Sequence, residues 1–429
     1  MTLQDRLRRL TGEGPATTQD NRDKILTDLR RRIEAVTTGR ERRLQGGSTP
    51  NQKRLLEELL PGEERENEYG RFYSVEAALK PSHRHGNQCV ADFLSVDMDA
   101  LSVLADKTDL AGMDAREGLY LDTETTGLSG GTGTVAFLIG LGWFEETTFV
   151  TRQLFVRDYP EERACLAYLS ELAQEKGFLV TFNGKSFDVN LLGARFIMNR
   201  LPDPLTELPH LDLLHPTRRL LGHRLENNRL GTVEQHVLGL DRGEDIPGWE
   251  IPERYFRWLR NRHPGAMLEV FRHNHLDVVS LSALARHLAE IVAGNGERLR
   301  EREEDHLAAA RLLIDRTRQR QGKRRLRDLC ASGHPQVSRE ARRHLSLHLK
   351  RDEDWKGAIA LWEEMLAADP ADCFACEELA KWYEHRDRNP EQALCLVCNT
   401  LELISGRHSD EQDRLTYRRI RLERKCGKP

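Results

Sequence analysis

Two carboxylate side chains, Asp122 and Glu124, lie two residues apart in the stretch LYLDTETTGL. The apolar residues before them favour a β-strand, and residues i and i+2 of a strand point to the same face. Both carboxylates would then share one side of a strand, where they repel each other. Such a pair is costly unless a cation lies between them, and hard divalent cations such as Mg²⁺ bind carboxylate oxygens. Taken alone, however, the spacing favours an ordinary surface strand with scattered acids.

Three further residues downstream could join this chemistry. Asp188, in TFNGKSFD, follows an apolar strand and an Asn183-Gly184 turn. It falls in the first turn of a predicted helix, where the helix dipole tolerates an acid, although capping alone also places Asp there. His273 and Asp277 are four residues apart on a predicted long helix and therefore share one face. A buried histidine beside a chance acid is the alternative interpretation of that pair.

Alternating strands and helices must position these residues. The pattern predicts three strands, a helix, a strand, a helix, a strand and then helices. The predicted strands are Leu119–Thr125, Val135–Phe144, Thr148–Val156, Phe178–Phe182 and HLDLL around Asp212, and the predicted closing helix runs from about Met267 to Val292. This order predicts an α/β domain with a mixed five-stranded sheet flanked by helices, antiparallel at one side and parallel at the other.

Composition and length set the domain plan. The chain has 429 residues, of which 31% are charged and 38% hydrophobic, which suits two or three domains. We expect a polar N-terminal segment (1–52), an extension packed on the main domain (53–115), the α/β domain (116–295) and an all-α region (296–429). No apolar run is long enough to cross a bilayer and the N-terminus lacks the apolar core of a secretory signal, so we expect a cytoplasmic protein without a membrane partner.

The C-terminal region carries an internal repeat. Leu345 and Leu349 recur as Leu379 and Tyr383, each shifted by 34 positions. This spacing resembles two tetratricopeptide-like units, each a pair of helices. Because two units are few for a self-standing array, we expect them to pack on the main domain or on further helices. Their role would be to bind a protein partner or to buttress the fold.

Cysteines and basic residues in this region leave alternatives open. The spacing C-x2-C-x18-C-x2-C normally indicates a structural zinc site, but both pairs fall in predicted helices, where Cys is a good small core residue, and we favour the core role. The residues in question are Cys373, Cys376, Cys395 and Cys398. The stretch RTRQRQGKRRLR, which starts at Arg316, contains seven basic residues and no acid. It is either a phosphate-contacting patch or a solvated helix.

Three motifs in this order resemble the DEDD exonuclease superfamily, which has a ribonuclease H-like fold. The motifs LDTETTGL, TFNGKSFD and HNHLDV carry its four acids, Asp122, Glu124, Asp188 and Asp277. More narrowly, the chain is similar to the bacterial YprB-like group through LSGGTGTVAFLIGLG, HLDLLHPTRRL and EDIPGWEIPERYF. The likeness covers about residues 55 to 400. One departure concerns His273: other members place Tyr four residues, or His five residues, before the last Asp.

The resemblance implies a metal-dependent exonuclease that hydrolyses nucleic acid in the 3′→5′ direction. Two Mg²⁺ or Mn²⁺ ions would be bound by the four acids, with Asp122 bridging both. His273 would be the general base, and Thr123, Asn183 and Phe187 would contact the substrate. The alternative is a catalytically silent adaptor of the same fold, whose helical repeats bind a protein or nucleic-acid partner. The residues do not distinguish DNA from RNA.

Overall fold

A computed structural model describes residues 56–127, 133–294, 302–404 and 410–427. Leu56–Pro429 form one compact unit. The predicted N-terminal polar segment lies outside the described residues, as does most of the Gly-rich turn after the first motif. Among the described helices, none is both long enough and apolar enough to cross a membrane.

Seven described strands form one mixed sheet in the order β1-β2-β5-β4-β3-β6-β7. The strands are β1 (Glu63–Asn67), β2 (Gly70–Leu79), β3 (Gly118–Thr125), β4 (Ala136–Glu145), β5 (Thr148–Phe155), β6 (Phe178–Thr181) and β7 (His210–Asp212). The pairs β3·β6 and β6·β7 are parallel, and the other pairs are antiparallel. The predicted fold class is confirmed, but the sheet has seven strands and not five. The extension supplies the two additional strands, β1 and β2, and β2 pairs with the edge of β5.

Helices cover both faces of the sheet. In chain order they are α1 (Leu56–Leu59), α2 (Val90–Phe93), α3 (Met98–Ala105), α4 (Glu162–Gln174), α5 (Asp188–Asn199), α6 (Leu214–Leu221), α7 (Leu230–Val233), α8 (Ile251–Asn261) and α9 (Gly265–Ala293). A π-helical turn, Glu234–Leu238, continues α7. Short 3₁₀ turns and a hairpin of two short strands, Arg84–His85 and Gln88–Cys89, complete the connections.

The central strand β4 shows why α9 packs closely on the sheet. Nine of its ten residues are buried, as expected for a strand covered on both faces. A Cβ atom on Gly140 would lie 2.3 Å from Oδ1 of Asn274 on α9, and one on Gly142 would lie 2.7 Å from Cγ1 of Val278. The glycines of AFLIGLG therefore make room for the helix that carries the third motif.

Seven helices form the C-terminal region in the part of the chain that the structure describes. They are α10 (Glu303–Asp315), α11 (Gln319–Cys330), α12 (Pro335–Arg351), α13 (Trp355–Ala368), α14 (Cys373–His385), α15 (Pro390–Leu403) and α16 (Asp410–Lys425). Two hydrophobic clusters hold them, with Trp362 fully buried in the first. The all-α region is thus present, whereas its assignment to the tetratricopeptide class stays a prediction.

Basic residues of the stretch that starts at Arg316 attach this region to the α/β domain. Arg325 donates hydrogen bonds to the carbonyl oxygens of Ile291, at 3.0 Å, and Val292, at 2.8 Å. These carbonyl groups belong to the last turn of α9, and the carbonyl groups of a last turn receive no hydrogen bond from within the helix. Arg316 pairs with Asp106, which follows α3. Part of the stretch therefore has a structural role.

The two Cys-x-x-Cys pairs lie on the helices α14 and α15. Cys376 is fully buried in a hydrophobic cluster, whereas Cys395 is exposed. Among the described residues, the group of three or more potential metal ligands that lie together contains no cysteine. Cys373 and Cys398 pack against the same hydrophobic cluster as Cys376, which favours the core role for these cysteines over a zinc site.

Candidate metal centre

Three separate segments bring the predicted acids to one place. Asp122 and Glu124 lie on β3, whose pairing with β4 shifts register between Glu124 and Thr125. Such bulges redirect side chains and are frequent beside functional sites. Asp188 begins α5 directly after the parallel neighbour β6 and its turn, and Asp277 lies on α9. The carboxylates of Glu124, Asp188 and Asp277 are close enough to Asp122 to raise its pKa.

His273 faces the same group from α9. Its Nε2 atom lies 3.4 Å from Oδ2 of Asp277 and 4.0 Å from Oε1 of Glu124. One ligand atom from each of the three residues lies within 4.8 Å of the other two. Carboxylate oxygens and an imidazole nitrogen at such separations fit a divalent cation.

Two hydrogen bonds fix the orientation of the other two acids. Nδ2 of Asn274 donates to Oδ2 of Asp122 at 2.8 Å, and the hydroxyl of Thr123 donates to Oδ1 of Asp188 at 2.5 Å. Each bond engages one carboxylate oxygen and so restrains the side chain. Asn274 was not among the predicted site residues. It is the neighbour of His273 in the third motif, HNHLDV, and its amide reaches β3 because Gly140 leaves the space.

Burial and mutual repulsion disfavour the ionised form of the acids in this centre. Burial, followed by the charge of Asp277 and of other acids in the group, raises the pKa of Asp122 and of Glu124 well above the usual range. Burial also raises the pKa of Asp188 to about 6, although the hydrogen bond from Thr123 opposes this shift. A bound cation would reverse these shifts, because it favours the ionised form of each carboxylate.

The loop before α8 supplies partners that sequence reasoning missed. The guanidinium of Arg242 contacts Asp277 and the fully buried Glu234, and its Nη1 atom lies 3.0 Å from Oδ2 of Asp245. That same Oδ2 lies 2.8 Å from Nδ1 of His273. Burial raises the pKa of Asp245, but the bond from His273 and the contact with Arg242 outweigh burial, and the pKa is lowered. The dense charge of the segment DRGED was the available signal for these residues.

Comparison with known proteins agrees with this geometry. Residues 119–289, which include all four acids and His273, match a family described as the RNase_H superfamily. A curated relative, "Uncharacterized protein YprB" from Bacillus subtilis (strain 168), is 33% identical over 366 residues, which is 84% of this chain and 87% of the relative. The chain belongs to the YprB family. Members of the ribonuclease H-like superfamily are usually nucleases that use divalent metals, so the YprB-family domain is one in which such a centre is expected.

An open cleft of about 550 Å³ adjoins the centre in this YprB-family protein. It is lined in part by Asp122, Glu124, Asp188 and by the predicted substrate contacts Thr123, Asn183 and Phe187. Phe187 is 55% exposed. Asn183 has a left-handed backbone (φ 68°), and its N–H donates to Oδ1 of Asp212 at 2.7 Å. Asp212 also accepts a hydrogen bond from the N–H of Lys185, at 3.0 Å, so it caps the turn.

Proposed function

We propose that the protein is a metal-dependent 3′→5′ exonuclease that hydrolyses phosphodiester bonds of nucleic acid. One observation carries the proposal: Asp122, Glu124, Asp188 and Asp277 arrive from three segments at one buried place, where the pKa of three of them is raised. Folding such a cluster is unfavourable without a cation. The polarity and the exonuclease class come from the resemblance of the three motifs.

The chain's own residues would divide the work. When bound, a pair of divalent ions would activate a water molecule and neutralise the leaving oxygen. Asp122 would hold the cations together with Glu124, Asp188 and Asp277, whose charges all act on its carboxylate. The Nε2 atom of His273 faces the acids and could act either as the general base that the sequence predicts or as an additional metal ligand.

The cleft would accept the end of the nucleic-acid chain. Thr123, Asn183 and Phe187 line it next to the acids. The exposed ring of Phe187 can stack on a base, a contact that tolerates any sequence. The turn at Asn183, held by Asp212, presents backbone groups to the sugar or the phosphate.

The test combines binding with turnover. Titration of Mn²⁺ by calorimetry should show binding to the wild type and a large loss for Asp122→Ala, because the bridging ligand is removed. End-labelled DNA and RNA, single- and double-stranded, should be shortened from the 3′ end by the wild type only. The exposed Glu171 on α4 provides a control, since Glu171→Gln removes an acid elsewhere. Equal, negligible Mn²⁺ binding by the wild type and Asp122→Ala would leave the silent-adaptor alternative.

A further inference from the structure

We propose that His273 is a direct ligand of a cation in this centre, held in place by Asp245, and that the centre consequently selects Mn²⁺ over Mg²⁺. This inference rests on the proposal that the centre binds a divalent cation. It assigns His273 a role different from the free general base that its place before Asp277 suggests.

The two ring nitrogens of His273 have different surroundings. Nδ1 lies 2.8 Å from Oδ2 of Asp245, so it carries the proton and donates it to that carboxylate. In the neutral imidazole, Nε2 then has the free lone pair, and it faces Oδ2 of Asp277 at 3.4 Å and Oε1 of Glu124 at 4.0 Å. The tautomer that Asp245 selects is therefore the one that can bind a metal.

The separations are those of neighbouring ligands. Two ligand atoms that each lie about 2.1 Å from one cation in the octahedral arrangement of Mg²⁺ and Mn²⁺ are about 3.0 Å apart when adjacent, and about 4.2 Å apart when they lie on opposite sides. The distances from Nε2 to Asp277 and to Glu124, 3.4 and 4.0 Å, fall within that range. One cation can thus contact Nε2 and both oxygens without a large movement of the backbone.

The surrounding residues form the support that histidine ligands usually have. A metal-binding histidine almost always donates its other N–H to a carboxylate, a carbonyl or water, which fixes the ring and makes the ligand nitrogen more basic. Here Asp245 is that carboxylate. Arg242 contacts Asp245 and Asp277 together, so a single guanidinium positions both a proposed ligand and the residue that orients another. Arg242 is itself held by the buried Glu234.

A nitrogen ligand changes the metal preference. Mg²⁺ takes oxygen ligands almost exclusively and keeps several waters, whereas imidazole is a good ligand for transition metals. A centre of carboxylates alone would distinguish Mn²⁺ from Mg²⁺ weakly. With His273 among the ligands, the wild type should bind Mn²⁺ at least tenfold more tightly than Mg²⁺, and most of that preference should depend on the imidazole.

The experiment is a titration of the full-length protein with Mn²⁺ alone and with Mg²⁺ alone, together with pulsed electron paramagnetic resonance of the Mn²⁺ complex. The wild type should show nitrogen hyperfine coupling from a bound imidazole. His273→Gln should abolish that coupling and weaken Mn²⁺ binding at least tenfold, with a much smaller change for Mg²⁺. Asp245→Asn should keep the coupling but weaken Mn²⁺ binding about tenfold, the usual effect of losing such a partner. Thermal unfolding of each variant verifies that it is folded.

The outcomes separate this inference from the proposed function. If Mn²⁺ binds the wild type without nitrogen coupling and His273→Gln binds it equally well, His273 is not a ligand, although the metal-dependent nuclease stands. If the wild type binds neither ion, both proposals are overturned. If His273→Gln loses activity but keeps the wild-type Mn²⁺ affinity, and the wild-type spectrum shows no nitrogen coupling, the imidazole acts as a base and is not a ligand.

Discussion

The acidic centre and a cluster around Glu384 in the helical region are two opposite ways to bury carboxylates. Glu384 lies on α14 with a side chain that is 0% exposed, and cations on α16 surround it. Nη1 of Arg418 and Nε of Arg421 each lie 3.0 Å from its oxygens, and Nζ of Lys425 lies 2.6 Å away. The acidic centre instead gathers four carboxylates around much less positive charge.

The pKa shifts in the two places have opposite directions for that reason. Burial raises the pKa of Glu384, but hydrogen bonds from Lys425 and Arg421 outweigh burial and the pKa is lowered. In the centre, burial and neighbouring acids act together and raise the pKa of Asp122 and Glu124. Where the chain supplies its own cations, the ion pair completes a structure. In the centre, the guanidinium of Arg242 is shared among Glu234, Asp245 and Asp277, so most of the negative charge is left to be balanced from solution.

The largest effect should come from removing an acid of the centre. We expect Asp122→Ala or Asp188→Asn to lower the rate of oligonucleotide hydrolysis by about 10³-fold or more, because several kcal/mol of transition-state stabilisation is lost. The metal-free protein should not be destabilised, since each change also removes repulsion. The rate is measured with end-labelled single strands in Mn²⁺, and stability by thermal unfolding in a chelator.

Glu384→Gln is the matched control for that comparison. It leaves three cations around a neutral side chain and should lower the free energy of unfolding by about 2 kcal/mol, while the hydrolysis rate of the folded protein stays unchanged. If Asp188→Asn keeps its activity, or if Glu384→Gln loses activity without losing stability, the contrast between the two regions is wrong.

Arg242 should be the most important cation for stability at the centre. In Arg242→Gln, the buried Glu234 and the acids Asp245 and Asp277 lose their shared positive partner. Removing one partner of a buried ion pair typically costs about 3–5 kcal/mol. Urea unfolding in a chelator measures this loss, and saturating Mn²⁺ should recover part of it.

A second arginine provides the comparison for Arg242→Gln. Arg254 pairs with Glu250 and with the exposed Glu269, so Arg254→Gln should cost less than about 1 kcal/mol. If Arg242→Gln lowers the free energy of unfolding as little as Arg254→Gln does, Arg242 is an ordinary surface cation.

The stability of the metal-free protein should fall as the pH rises. The folded-state pKa of Asp188 is about 6, above its ordinary value of 3.8. A raised pKa contributes stability that is fully present below the unfolded value and is lost as the pH passes through the folded value. Between pH 4 and pH 7 we expect a loss of about 2 kcal/mol from this group. Urea unfolding in a chelator at both pH values measures the loss.

Two controls define that pH effect. Asp188→Asn should remove about 2 kcal/mol of the loss over this range, because the amide does not titrate, whereas the raised pKa of Asp122 and of Glu124 should keep a further decline. Saturating Mn²⁺ should flatten the profile, because the cation favours ionised carboxylates. A wild-type profile identical to that of Asp188→Asn would exclude Asp188 as its source.

The acids of the centre were predictable, whereas their partners were not. Asp122, Asp188 and Asp277 follow local patterns, an apolar strand or a helical face, in a recognisable order. The bond between Asn274 and Asp122 joins residues 152 positions apart, and the pair formed by Asp245 and His273 spans 28. Neither contact follows from a periodic sequence pattern, because Asp245 lies in an irregular loop and the contact of Asn274 depends on how α9 packs on the sheet.

The edge strand β1 and the cysteines also depend on tertiary contacts that no local sequence pattern predicts. The strand β1 has the sequence EEREN and is mostly exposed, so it carries no apolar alternation that would predict a strand. Its place follows from pairing with β2, a tertiary contact. For the cysteines, the spacing of Cys373 and Cys376 is equally compatible with a zinc site and a helix face. The packing of Cys376 into a hydrophobic cluster favours the helix face, and that packing is a tertiary contact.

The smallest expected effect tests whether local structure in the helical region is independent of the centre. Oδ1 of Asp354 accepts a hydrogen bond from the N–H of Gly357 at 3.0 Å and caps α13. Asp354→Ala should lower the free energy of unfolding by about 1 kcal/mol and leave Mn²⁺ affinity and hydrolysis unchanged. The exposed Lys356, in the same helical turn, is the control, and Lys356→Ala should change stability by less than about 0.5 kcal/mol. A change in Mn²⁺ affinity for Asp354→Ala alone would show that the helical region is energetically coupled to the acids and does more than support the fold.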